Sequence, residues 1–413
     1  MLQKVKLPIK ALVDYKGIIP ESLIDELLDL SKSLVGIRVL HLNATSFGGG
    51  VAEILQSLVP IQNDLGLSSD WGVIEGSDEF FNVTKYLHNS LQNGKKFQLT
   101  REQIRIYESV NRRNAEKLGD QYDIIMIHDP QPAALPFFLN QKKAKYVWRL
   151  HIDTSSCDSS NWDYFSTFLK KYDACIFSSK KYESKTIPIE KRYYIPPAID
   201  PLHPKSVEID RDLVRKTVSG MGIVLDRPLV TQVSRFDPWK DPAGVVKAYR
   251  LAKKEIPDLQ LALVATMADD DPEGWKIYED VKKMVGDDPG VFLILNNDIN
   301  TNDLKVNSIQ RYSDVVVQKS LKEGFGLVVA EAMWKQKAVV GGDTVGIRMQ
   351  IEDGKNGFLV GSIDECAEKM IFLLKNKKEA EKMGRVAKET VREKYLLPRL
   401  VRDELRLYKE ILS

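Results

Sequence analysis

Two glutamates separated by seven residues, Glu323 and Glu331, flank a Gly324-Phe325-Gly326 turn inside the stretch 319–331, KSLKEGFGLVVAE. Gly324 and Gly326 permit a tight turn that side chains would obstruct, and 327–335 is a run of good helix formers. The predicted product is a loop opening onto a helix that begins at Leu327. The first amides of a helix lack internal acceptors and carry about half a positive charge, so a diphosphate is a natural occupant of that end. Glu331 lies five residues beyond Gly326, which at ~1.5 Å rise per residue sets its carboxylate roughly 7 Å past the phosphate, a span suited to ribose hydroxyls. Glu323 precedes the turn, where a transferable group would project, and a sugar offers hydroxyls for it to accept.

A second charged constellation follows the apolar run 228–233: Ser234-Arg235-Phe236-Asp237-Pro238-Trp239-Lys240-Asp241. Arg235 and Lys240 stand at a strand end, and both could reach one diphosphate. Arginine grips phosphate oxygens through parallel N–H bonds and lysine acts as a mobile point charge, so together they would stabilise a leaving group. Gly48, Gly49 and Gly50 follow the strand-like run 38–43 and precede a helix, at the end of a first strand where open α/β sheets bind ligands. A dinucleotide site with Glu75 on the ribose is disfavoured, because GGGVAE does not match G-x-G-x-x-G. Asp269-Asp270-Asp271 matches a metal-chelating D-x-D only formally; lying beside Pro272 and Gly274, it reads as a solvated turn. With no His/Cys ligand cluster in the chain, no essential protein-bound metal is expected. Of the histidines, His41, His88, His128, His151 and His203, the two at 128 and 151 sit where predicted strands end.

Apolar runs alternating with helical patterns must position these groups. Strands are predicted at 38–43, 124–128, 146–151 and 174–178 in the first half and at 228–233, 260–266, 291–295, 315–318 and 338–341 in the second. Helices are predicted at 101–118, 164–171 and 397–411. The order is that of two doubly wound α/β domains with parallel sheets. The proline-rich segment 194–204 can continue neither a helix nor a central strand. It separates a domain of residues 1–203 from one of residues 204–396. At 413 residues with 43% apolar content, each half can bury a core. Lys and Arg total 60 against 58 Asp and Glu, a net charge of +2 that argues against a nucleic-acid surface or a basic membrane-binding face. Isolated Cys157, Cys175 and Cys366 form neither a disulfide framework nor a CxxC pair, so a reducing compartment is expected. The opening residues lack the apolar run of a secretory signal and no span of ~18 apolar residues occurs, which together predict a soluble cytoplasmic protein.

The two glutamates around Gly-Phe-Gly, with Arg235 and Lys240, resemble the motifs of retaining nucleotide-sugar glycosyltransferases of family four, which have the GT-B fold. Within that group the stretches 80–92, 128–132, 149–153 and 317–326 are similar to the trehalose glycosyltransferring synthases, and sucrose-phosphate synthases share part of the pattern. The resemblance implies two Rossmann-like domains facing across a cleft, with residues 397–413 returning to the first. It implies glucosyl transfer from a nucleoside-diphosphate glucose, as co-substrate, to glucose, forming trehalose reversibly. It further implies that Arg235, Lys240 and the amides at Gly324, Phe325, Gly326 and Leu327 hold the diphosphate, with Gly48, Gly49 and Gly50 approaching it. Glu323 would take the 3- and 4-hydroxyls of the donor glucose, Glu331 the ribose, and Asn296 and Asn297 the base. His151 would bind a distal hydroxyl of the transferred sugar, and His128, Gln131 and Asp153 would shape the acceptor side. Where relatives commonly carry glycine after the lysine, this chain has Asp241. Expected partners are the nucleotide sugar and glucose or trehalose, with no nucleic acid, no membrane and no tightly bound cofactor; a homodimer is compatible. ADP against UDP, and glucose against glucose 6-phosphate, stay open, as do a trehalose phosphorylase, a sucrose-phosphate-synthase-like glucosyltransferase, a nucleotide-sugar epimerase and a non-catalytic nucleotide-sugar binder.

Overall fold

A computed structural model describes the chain apart from residues 1, 48, 94–97, 140–142, 156, 158, 185, 266–271 and 296–298, and describes only the backbone of residues 93, 159, 272 and 299–301. The chain divides into two compact units, Met1–Ala198 with Leu397–Ser413, and Ile199–Leu396. The crossing falls inside the proline-rich segment, ahead of residue 203. Ile199 already bridges Leu396, and His203 and Lys205 already approach Asp303, at 3.9 and 4.0 Å.

In the first unit, strands β1 (Gln3–Lys4), β2 (Arg38–Asn43), β3 (Ser68–Val73), β4 (Ile124–His128), β5 (Lys145–Leu150), β6 (Ala174–Phe177) and β7 (Lys191–Tyr194) form one sheet in the order β1-β3-β2-β4-β5-β6-β7. All neighbours run parallel except β1, which lies antiparallel on β3. The chain leaves β2 towards β3 on one side and reaches β4 on the other, so the connections reverse between β2 and β4. In the second unit, β8 (Leu229–Val233), β9 (Gln260–Ala265), β10 (Val291–Leu295), β11 (Val315–Gln318), β12 (Val339–Gly342) and β13 (Gly357–Val360) form an all-parallel sheet, β10-β9-β8-β11-β12-β13. Here the reversal lies between β8 and β11. Ligands in such sheets bind beyond the carboxyl ends of the strands at these reversals.

The central strands are covered on both faces and read as unbroken apolar runs; β11 is Val-Val-Val-Gln with every residue buried. The closing helix Leu397–Leu412 buries Leu397, Leu400, Val401, Glu404, Leu405, Tyr408 and Ile411, a stripe at helical spacing that packs on helices Glu21–Lys32 and Gly50–Asp64. Its one buried acid, Glu404, is the odd member of that stripe. Four strands escape a reading of apolar runs, the first being the two exposed residues Gln3–Lys4. Ser68–Val73 carries few large apolar side chains, Lys191–Tyr194 is a mostly exposed edge, and Gly357–Val360 opens on glycine. The helix expected at 164–171 spans Ser159–Leu169, its start disguised by Ser-Ser-Asn. Among the described residues no helix is long and apolar enough to cross a membrane.

Candidate active site

The β8/β11 reversal gathers most of the charged residues that the sequence singles out in the second unit. Beyond β8 the chain bends through Asp237, whose carboxylate accepts from the Trp239 amide at 2.8 Å and starts a short turn over Pro238–Lys240. That turn carries Lys240 to Glu323, which follows β11: Lys240 Nζ donates to Glu323 Oε2 at 2.6 Å, with Ser320 Oγ on the same oxygen at 3.1 Å. Backbone ties hold the two loops in register, Leu321 N on Trp239 O at 2.7 Å and Gln232 Nε2 on Lys240 O at 2.7 Å. Arg235 lies on the exposed side of the turn, its guanidinium 3.5 Å from Asp237. Its reach is therefore free to turn towards an anion. Asp241 adopts a left-handed conformation, φ 48°, which glycine would enter without strain. The aspartate makes contacts that glycine could not. It caps the helix Pro242–Lys253 through Gly244 N at 3.0 Å, and its other oxygen pairs with the buried Lys319.

The Gly324–Gly326 turn has the predicted form. Gly326 is left-handed at φ 84° and forms the N-cap of helix Leu327–Trp334. A Cβ there would lie 3.1 Å from Glu323 Cγ, so glycine both makes the turn and leaves room for the glutamate. The loop is pressed from beneath as well. A Cβ on Gly346 would come 2.4 Å from Glu323 O, and one on Gly342 2.1 Å from Ser320 O. Gln350 Nε2 donates to Phe325 O at 2.5 Å and Gly326 O at 3.2 Å. The Phe325 ring points into the core against Tyr395, with 5.3 Å between centroids, leaving its backbone as what it can offer a ligand. Glu331, in the same helix, is 3% exposed. Its carboxylate acts on His203, whose basicity burial lowers and the neighbouring Asp303 and Glu331 partly restore. The Gly346, Gly342 and Gln350 supports carry no local signal in the sequence, since each acts on a loop at least twenty residues away.

In the first unit, the β2/β4 reversal and the adjoining end of β5 hold the other candidates. Gly49 is the N-cap of helix Gly50–Asp64 at φ 89°, with nothing within 4 Å of where a Cβ would stand, so the backbone conformation itself requires glycine. Asn43, ending β2, is fixed by Trp71 Nε1 at 2.8 Å and donates to Thr45 O at 2.7 Å. His128 Nδ1 and His151 Nε2 are 3.1 Å apart with rings stacked at 11°. Asp129 between them in sequence is left-handed at φ 64°, and its carboxylate accepts from the His151 amide at 2.9 Å. Burial pushes that carboxyl up to about 7. Sequence reasoning passed over Asp129, although its place between His128 and a proline at the end of a strand was the available signal. The Gln131 carbonyl is tied to Asn111 at 3.2 Å, and Asp153 turns on itself to accept from Ser155 N at 2.9 Å. Cys157, Cys175 and Cys366 are not joined in disulfides, and the latter two are buried and pushed up to about 12 by that burial. Gly48, Asn296, Asn297 and the 269–271 acidic run lie outside the described residues. Among the described residues, no group of three or more His, Cys, Asp or Glu is gathered to hold a metal.

Comparison with known proteins bears on the family and the fold. Residues 41–184 match the family model described as trehalose synthase, N-terminal domain, and residues 217–390 that of glycosyl transferases group 1. The chain is 46% identical over 418 residues to the trehalose synthase of Rubrobacter xylanophilus, covering 100% of both chains. It is 43% identical to that of Thermococcus litoralis, covering 94% of each. Among solved structures, a sucrose-phosphate synthase from Thermosynechococcus elongatus superposes with a TM-score of 0.70 at 15% identity, over 91% of this chain and 99% of that one. A trehalose 6-phosphate synthase from Burkholderia multivorans gives 0.71 at 15% identity, over 92% and 100%. Those likenesses show the GT-B fold, and with full-length relatives above 40% identity the chain belongs to the trehalose synthase family of glycosyltransferases.

Proposed function

We propose that the protein transfers glucose from a nucleoside-diphosphate glucose to glucose with retention of configuration, forming trehalose reversibly. The observation that carries this reading is the Lys240–Glu323 contact over the Gly326 turn, which sets a cation, a sugar-binding carboxylate and a helix N-terminus together at one strand reversal. In the proposed reaction the bond from the anomeric carbon to the phosphate oxygen breaks as the acceptor hydroxyl oxygen bonds to that carbon from the same face. The acceptor's proton passes to the departing phosphate oxygen, so no dedicated protein base is needed. Lys240, Arg235 and the amides at Gly326 and Leu327 stabilise the charge on the leaving diphosphate. A divalent cation is then not required by the protein site. Glu323 orients the donor through its 3- and 4-hydroxyls, Glu331 holds the ribose, and His151 meets a distal hydroxyl.

The name of the relatives supports trehalose as the product, and the trehalose phosphorylase of Pleurotus pulmonarius, 26% identical over 80% of this chain and 51% of that one, supplies the rival chemistry. Product analysis with UDP- and ADP-glucose, offered glucose or glucose 6-phosphate with EDTA present, tests the proposal. Trehalose formation from glucose supports it. Release of glucose 1-phosphate from trehalose by inorganic phosphate, with no response to nucleoside diphosphate, would replace it by a phosphorylase.

A further inference from the structure

Three histidines from neighbouring strands form one continuous hydrogen-bonded row in the first unit, and only its last member is used by the proposed reaction. His41 lies in β2, His128 ends β4 and His151 follows β5. His151 Nε2 is 3.1 Å from His128 Nδ1, and His128 Nε2 is 3.2 Å from His41 Nδ1. The row continues inward: His41 Nε2 is 3.1 Å from Gln62 Oε1, and Gln62 Nε2 is 2.9 Å from Glu404 Oε2. Glu404 is fully buried, and its other oxygen pairs with the guanidinium of Arg149, itself 2% exposed. A buried ion pair, three rings and an amide thus connect the closing helix to the strand end where His151 sits.

The protons along such a row can be counted. A carboxylate only accepts, so Gln62 must turn its amide nitrogen to Glu404 and its oxygen to His41. The reverse amide orientation would set oxygen against oxygen in a buried site. His41 Nε2 therefore carries the proton. Tyr408 gives the same answer independently. Its hydroxyl stands 3.0 Å from Glu404 Oε2, where its one proton goes, and 3.4 Å from His41 Nε2, where it can then only accept. A neutral imidazole has one N–H, so His41 Nδ1 is an acceptor and His128 Nε2 must donate to it. By the same step His128 Nδ1 accepts and His151 Nε2 donates. Burial lowers the basicity of all three rings and outweighs the opposing pull of Glu404 and Gln62 on His41, with the Arg149 charge adding to the lowering, which keeps each at one proton.

We infer that Glu404, acting through Gln62, His41 and His128, fixes His151 as its Nε2–H tautomer and so leaves the Nδ1 lone pair as the only hydrogen-bonding atom that ring can offer a ligand. That Nδ1 has no hydrogen-bond partner among the described residues. Gln62, His41 and Glu404 are positioning residues: none needs to touch a substrate, and each acts through the next. The consequence at the site is a directional requirement. A group bound at His151 must donate a proton to it, which a sugar hydroxyl does and a fluorine or an ether oxygen does not. This consequence, unlike the tautomer itself, rests on His151 meeting the donor sugar.

The test is an NMR measurement of ring nitrogens on the full chain labelled with 15N-histidine, where protonated and bare nitrogens are distinguished directly. His41, His128 and His151 are expected all in the Nε2–H form. An Nδ1–H form at His151, or a mixture, overturns the inference, and the wild-type spectrum alone decides this. In Gln62→Met/Tyr408→Phe, which removes both groups that hold the His41 proton in place, His41, His128 and His151 are expected to lose their single tautomer. Unchanged tautomers in a folded Gln62→Met/Tyr408→Phe protein would also overturn it. The catalytic consequence is read with a donor whose 6-hydroxyl, the distal one left once Glu323 holds the 3- and 4-hydroxyls, is replaced by fluorine. Wild-type kcat/KM is expected to fall by about tenfold or more for this donor, and the discrimination to shrink to within about threefold in Gln62→Met/Tyr408→Phe. Fixed tautomers with no discrimination against fluorine would uphold the proton row and refute instead the placing of His151 at that hydroxyl.

Discussion

Replacing Glu323 by glutamine separates the two jobs assigned to the Lys240–Glu323 pair. The pair is closed at 2.6 Å, with side chains 20% and 9% exposed, so a diphosphate meets a lysine already engaged by an anion. A carboxylate and a phosphate charge held roughly 7 Å apart repel by about 1–2 kcal/mol at an effective dielectric of about 20–40. Glutamine keeps the shape and the Ser320 contact while removing that repulsion. Glu323→Gln should therefore bind the free nucleoside diphosphate about 5- to 30-fold more tightly. Transfer should move the opposite way. Two charge-assisted hydrogen bonds to sugar hydroxyls, at about 1.5 kcal/mol or more each, disappear from the transition state, so kcat/KM should drop by more than about 100-fold. Titration calorimetry with UDP and ADP at low and high salt measures the first effect, and trehalose formation measures the second. Weaker nucleotide binding in a folded variant, or transfer within about threefold of wild type, would refute the roles given to Lys240 and Glu323.

Other expectations follow from packing and charge. Gly346→Ala places a methyl 2.4 Å from Glu323 O and should displace the catalytic loop, costing about 2 kcal/mol in urea unfolding and most of the transfer activity. The neutral histidine row makes stability pH-dependent. Each ring takes up a proton less readily in the folded chain than in the unfolded one, so the unfolded chain gains protons first as pH falls and stability declines below about pH 6.5. Three rings by themselves would bring the slope towards about 4 kcal/mol per pH unit, and Asp129, opposing them over the same range, brings the net slope down to about 3; denaturant melts at pH 7.5, 6.5 and 5.5 measure it, and a flat profile contradicts it. Asp129 acts in the reverse sense. Its carboxyl is raised to about 7, so the folded state holds a proton the unfolded chain has already lost, and stability falls as pH rises from about 4 through 7. Asp129→Asn, which tolerates the same left-handed backbone and still accepts from the His151 amide, should be more stable than wild type at pH 8 by about 2 kcal/mol. That is roughly half of what the shift alone implies, because the side chain keeps some contact with water. The difference should vanish by about pH 4.

Much of this protein can be read along the chain because the relevant physics is local. Alternation of short apolar runs with amphipathic stretches predicts parallel α/β sheets, and Gly-Phe-Gly ahead of good helix formers predicts a turn onto a helix N-terminus whatever the rest of the fold does. The order of the strands is a different matter. That β11 lies beside β8 rather than beside β10 depends on which faces of distant helices pack together, and only this adjacency brings Lys240 to Glu323 across 83 positions of sequence. The same holds for Gly346, whose missing side chain makes room for Glu323's own backbone, and for Asp241, where a left-handed conformation, a helix cap and Lys319 coincide. Glu404 is the clearest instance. In sequence it is one acid on an amphipathic final helix, marked only by its place in the apolar stripe and with nothing to name its partners. The tertiary structure buries it against Arg149 and Gln62, and because a charge in a dry site must have its partners satisfied, that one burial sets the direction of every hydrogen bond along the row to His151.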